Sequence, residues 1–229
     1  MPSQEATRIT LQQLAVHVLA RRRFAVTGRF GLRPSPGGLA TPAFGDEIEV
    51  VRIDGDLLVH ERGGEARVEP ISTLAAAAEL VGADLSADFS VGGDTPALGP
   101  VDDPLGIDGG QVRALGAWWA FGVEVIDHVV GTGPWRAGAT TLQLWPEHFD
   151  VGGAVTVGGT SVNVGASPGD GHEPAPYLYI GPTTADRPGD AAYWNAPFGA
   201  VLRWSELSGP ADRQVIAADF LRQGLQQFT

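Results

Sequence analysis

Residues 47–71 read EIEVVRIDGDLLVHERGGEARVEPI, and this stretch decides the fold. It holds three strand-like runs, 47–53, 56–62 and 65–71, rich in Val, Ile and Leu. Asp54-Gly55 separates the first two and Gly63-Gly64 the second two. A two-residue hairpin loop of type I′ needs positive φ at both central positions, which these pairs supply most cheaply. The segment therefore predicts an antiparallel meander.

On its N-terminal side, Leu11, Leu14, Ala15, Val18 and Leu19 make one apolar stripe at helical spacing, with Thr10 and Gln13 in capping-box positions. That predicts a helix over 10–22. From Phe24 the period changes to two: Phe24, Val26, Phe30 and Leu32 alternate with polar residues and predict a half-buried strand. PSPGG at 34–38 breaks it.

On its C-terminal side, Ser72 or Thr73 caps a short helix that Gly82 stops. Residues 83–110, rich in Asp, Gly, Pro and Ser, predict a long connection. A second long helix is expected over 111–130, with Leu115, Trp118, Trp119, Gly122, Ile126 and Val129 on one face. Strands follow, with Gly158-Gly159 as a hairpin turn, a loop over 165–176, a strand over 177–180 and another over 199–207. A last helix is expected from Pro210, burying Ala217, Phe220, Leu221, Gly224, Leu225 and Phe228. Two halves, about 1–82 and 111–229, thus read alike as helix, antiparallel sheet, helix. The expected fold class is α+β, as a single domain.

Composition narrows the function classes. The chain has 229 residues and a formal charge of −12, so nucleic-acid partners are not expected. It contains no Cys, and all 15 basic residues are Arg. Thiolate chemistry, disulfides, Schiff-base lysines and a P-loop lysine are thereby excluded within this chain. An all-Arg, Ala-, Gly- and Pro-rich chain points to a GC-rich bacterial genome. No run of 18 apolar residues and no signal-peptide core is present, so no membrane association and a cytoplasmic location are expected.

The order of several short motifs resembles a bacterial family of unknown function. They are TPAFGD at 41–46, the Asp54-Gly55 hairpin with Leu57-Leu58-Val59, WPEHFD at 145–150, EPAPYLY at 173–179, and Tyr193-Trp194 followed by Phe198-Gly199. The resemblance implies kinship of fold and supplies no catalytic residues.

The richest polar cluster comes from Glu147-His148-Phe149-Asp150 and Asp170-Gly171-His172-Glu173. His148, Asp150 and His172 have the ligand types of a divalent-metal site, which would make the protein a hydrolase or oxygenase. Aromatics crowd the same region. Tyr and Trp pair an apolar body with a polar tip, and such residues line small-molecule pockets. The leading expectation is therefore small-molecule binding through a pocket in the second half, lined by Trp145, His148, Asp150, His172, Glu173, Tyr177, Tyr179, Tyr193, Trp194 and Asn195. A non-catalytic scaffold that buries these aromatics against a partner is the third reading. Trp145, Phe198 and Trp204 are expected in the core. His60 is expected on an outward strand face, and neither it nor His17 has a visible partner in the sequence.

Overall fold

The computed structural model describes residues 4–207, 209 and 212–229. It is α+β, with helices and two antiparallel five-stranded sheets of similar build. The chain divides into two compact units, Met1–Ala117 with Leu144–Phe149, and Trp118–Gln143 with Asp150–Thr229. The division falls inside a helix and not in the 83–110 connection. Among the described residues no helix is long and apolar enough to cross a membrane.

The first unit opens on α1 (Gln4–Leu14), a π-helical stretch (Ala15–Ala20) and α2 (Arg21–Thr27). The junction residues Leu14, Ala20 and Arg21 all keep helical dihedrals, so the three run on as one helix. The expected strand from Phe24 is therefore corrected. The helix carries through Phe24 and Val26, leaving them 42% and 44% exposed, and ends at Gly28 with φ 68°. Propagating a formed helix costs less than starting a strand, and Gly28 is the first residue to take the left-handed cap without strain.

The first sheet runs β1 (Arg33–Ser35), β2 (Gly38–Ala40), β3 (Val50–Asp54), β4 (Leu57–Arg62) and β5 (Glu65–Pro70), in that order. Arg62 pairs with Glu65, so Gly63-Gly64 forms the expected loop, at φ 60° and 85°. Asp54 pairs with Leu57, which moves the other loop one residue on, to Gly55-Asp56. Thr73 caps α3 (Leu74–Val81) by accepting from Ala76 N–H, and Gly82 ends it at φ 68°.

His60 is buried, not outward. Arg22 Nε and Nη2 grip the two Glu49 oxygens at 2.7 and 2.8 Å, and His60 Nε2 lies 2.9 Å from the same carboxylate. His60 Nδ1 is 3.1 Å from Leu80 O. An Arg–carboxylate fork thus ties α2 to the meander, and the imidazole ties β4 to α3.

The second unit holds Trp118–Thr132 of α4 (Gly109–Thr132), with β7 (Asp150–Val157), β8 (Thr160–Ser167), β9 (Tyr177–Pro182), β10 (Ala200–Arg203) and α5 (Arg213–Gln226). The second sheet runs β10-β9-β8-β7-β6, where β6 is Gln143–Trp145. Gly158-Gly159 makes the expected loop, with Val157 opposite Thr160 and φ of 56° and 83°. Residues 199–207 turn from β10 into a 3₁₀ turn, Trp204–Glu206. The expected helix start at Pro210 lies outside the described residues.

Helices cover one face of this sheet through small residues. A Cβ on Gly122 of α4 would fall 2.3 Å from Ala166 Cβ, and one on Gly224 of α5 would fall 2.8 Å from Ile180 Cδ1. Ala166, Leu178 and Ile180 therefore point to the helices. Tyr177, Tyr179, Gly165 and Ser167 alternate with them and point away.

Candidate functional site

One turn occurs twice. Phe44–Glu49 and Trp145–Asp150 each begin with an aromatic residue, run through four turn residues and end on an acid at a strand start. The fourth turn residue, Ile48 or Phe149, has φ of 51° or 60°, and among the described residues these are the two non-glycine positive-φ positions. Left-handed backbone is costly for such side chains, so each turn holds its acid in a constrained place. Glu49 shares the helix-covered face with Val51 and His60, where it is consumed by the Arg22 fork. Asp150 alternates with Val151, whose partner Ala166 faces α4, and so points to the opposite face.

On that face Gly152 of β7 stands opposite Gly165 of β8, which stands opposite Tyr179 of β9. The two glycines leave bare backbone, and the Tyr179 ring lies across it. A Cβ on Gly165 would fall 2.3 Å from Tyr179 Cζ, and one on Gly152 would fall 2.6 Å from its hydroxyl. The phenol donates to Asp150 Oδ2 at 2.5 Å. One register step along, Tyr177 donates to Asp170 Oδ2 at 2.5 Å. Asp170 Oδ1 accepts from the His172 and Glu173 amides at 2.8 and 3.1 Å, which fixes the loop that carries both. Glu173 in turn accepts from Arg203 Nε at 2.6 Å.

Burial pushes both phenols up from their ordinary pKa, and the adjoining Asp carboxylates add to this. Both tyrosines therefore remain neutral donors at physiological pH. Charge pairing with Arg203 holds Glu173 below the usual carboxylate range. Phe198 closes the cluster, 5.0 Å from the His172 ring and 6.5 Å from both Tyr177 and Tyr179. It is 39% exposed, which corrects its expected place in the core. Trp204 is likewise 41% exposed, beneath the Arg213 guanidinium at 4.1 Å.

The other expected site residues have different work. Tyr193 donates to Phe220 O at 2.7 Å and stacks on the Phe220 ring. Trp194 donates to Pro188 O at 2.9 Å. Asn195 exchanges two hydrogen bonds with the Val201 backbone, at 3.0 and 2.8 Å. The Tyr193 and Asn195 tips fasten the 183–199 loop onto α5 and β10, and the Trp194 indole closes the loop on itself. Trp145 and His148 belong to the first unit, where Trp145 packs on Phe30 at 6.1 Å and His148 Nδ1 lies 3.6 Å from Asp94.

Of the expected metal set, His148 belongs to the first unit and Asp150 and His172 to the second. Asp150 is engaged by Tyr179, His172 lies against Phe198, and His148 faces Asp94. Among the described residues no group of three or more His, Asp or Glu side chains is gathered that would hold a metal ion.

Ser167, Asp170, Phe198 and Arg203 were absent from the expected set. Glycines inside strand runs, at 152 and 165, are the sequence signal for a close approach there, but the side chain that fills the gap lies on a third strand. Comparison with family models, curated proteins and solved structures finds no match to this chain.

Proposed function

We propose that the protein binds a small organic molecule carrying a cationic nitrogen at the Tyr177–Tyr179 face of its second sheet. Phe198 and His172 form the contact rim of this site, and Asp150 and Asp170 supply its negative charge. The observation that carries the reading is Tyr179, laid over two bare glycines with its hydroxyl fixed on Asp150. It presents an aromatic surface beside an oriented carboxylate. Ammonium groups are attracted to ring faces and to carboxylates together, and a chain charge of −12 draws cations to the surface.

The test is a two-dimensional amide NMR titration with primary and quaternary amines, alongside carboxylic acids and neutral analogues of the same size. Amines are expected to shift the amides of His172, Tyr177, Tyr179 and Phe198, and the acids to leave them unmoved. Phe198→Ala, at a partly exposed position, should abolish the shifts and leave the fold intact. Shifts in response to acids, or to none of the compounds, would overturn the reading.

A further inference from the structure

The 83–110 connection does not hang between two halves. Residues 84–99 belong to the first unit and lie along its first helix. Three polar side chains spaced four apart, Gln13, His17 and Arg21, hold them there. Gln13 donates to Ala97 O at 3.0 Å and accepts from Gly99 N–H at 2.9 Å. His17 Nε2 lies 3.0 Å from Pro96 O. Arg21 donates to Asp84 O and Ala87 O and sits 5.0 Å over the Phe89 ring, which packs on Phe24 at 5.6 Å. The π-helical stretch sets the alignment. A π turn has more residues than an α turn, so positions four apart fall nearly in line where it replaces the α form.

His17 is the point of leverage. It is 2% exposed. A carbonyl only accepts, so Nε2 carries the ring's proton toward Pro96. Nδ1 is then left buried with no hydrogen-bond partner among the described residues. A second proton would place a charge at that nitrogen, one turn from the buried Arg21 guanidinium. The strap itself has no helix or strand, and none of residues 84–99 is buried. Moving it away is thus the cheapest means of bringing a charged His17 to water.

We propose that residues 84–99 form a strap that stays closed over the first helix while His17 is neutral and releases when that ring takes its second proton. Release uncovers the Gln13–His17–Arg21 stripe. Burial, with a smaller push from Arg21, moves the His17 pKa down, against the Pro96 hydrogen bond, which moves it up. The open form therefore binds the proton more tightly. Closure is complete above the ordinary His value of about 6.5 and weakens as pH falls below it. Asp84 and Asp88 on the strap act on Arg21 and support closure. Asp94, also on the strap, lies 3.6 Å from His148 Nδ1. That pair is largely exposed, so solvent screens it.

The chain has no cysteine, so paired spin labels can be placed cleanly. Gly93 has open space at its Cβ position, and Ala25 is exposed on the helix. Distances between nitroxides at Gly93→Cys and Ala25→Cys, in the full chain, are expected to be short and narrow at neutral pH. They should lengthen and broaden as pH falls below the ordinary His value of about 6.5. In a His17→Gln background, which keeps the donor to Pro96 but does not titrate, the short distance should persist at both pH values. The proposal is overturned by an unchanged distribution in the parent protein. It is equally overturned by the same broadening in His17→Gln, which would assign the opening to general acid unfolding.

Discussion

The Tyr179 hydroxyl reaches Asp150 at 2.5 Å by crossing a floor of two facing glycines, so the ring and the carboxylate hold each other in place over backbone that carries no side chain. Tyr179→Phe keeps the ring and deletes the donor. Losing one bond to a buried carboxylate is expected to cost about 1 to 3 kcal/mol. Urea denaturation should show a lower midpoint with an unchanged slope.

The glycine floor makes a separate prediction. Gly165→Ala would drive a methyl group into the Tyr179 ring, 2.3 Å from Cζ. Displacing a packed aromatic is expected to cost about 1 to 3 kcal/mol. Gly171→Ala, with open space around it, serves as the control and should change stability by less than about 0.5 kcal/mol. Equal effects at both positions would refute the role given to the floor.

All three tyrosines of the protein, Tyr177, Tyr179 and Tyr193, have raised pKa values, in each case chiefly through burial. The unfolded chain ionises its phenols near the ordinary value of about 10, and the folded one resists. Folding stability should therefore fall as pH rises above that value. An ultraviolet titration is expected to show no tyrosine ionising near its ordinary pKa, then all three together as the fold opens.

Glu49 has the opposite sign. Burial opposes its charge, but Arg22 and His60 outweigh burial and hold its pKa below the usual range. Its contribution is present above the ordinary Glu value of about 4.3 and is lost as pH falls through the lowered one. Glu49→Gln leaves Arg22 without its carboxylate and should destabilise the first unit by about 3 to 5 kcal/mol, as measured by thermal or urea melting.

Two glycines of α4 are expected to resist a change that helix propensity favours. Alanine is the better helix former by about 1 kcal/mol. Yet a Cβ at Gly116 would fall 2.8 Å from the Gly38 backbone, and one at Gly122 would fall 2.3 Å from Ala166 Cβ. Both Gly116→Ala and Gly122→Ala should lower the melting temperature. A rise in either would show that the packing there can relax.

The sequence by itself determined the local elements whose causes are local. Gly63-Gly64 and Gly158-Gly159 set their hairpins because left-handed backbone is nearly free for glycine alone. Thr73 and Gly82 bounded α3 through its unpaired end groups. Those signals, with the helical stripes, were enough for an α+β architecture of two similar halves. Where two local patterns competed, only the tertiary structure decided. Phe24 and Val26 alternate like a strand, yet they extend a helix that packing already holds. Site membership was decided in the same way. The WPEHFD and EPAPYLY segments were legible as polar and aromatic, but the sequence did not show which side of a sheet each residue meets. The turn ending at Phe149 sends Asp150 away from the helices to Tyr179, whereas the like turn ending at Ile48 sends Glu49 under them to Arg22. A strand's period of two makes that outcome depend on a single residue of register, and register is fixed by partners far away in the chain.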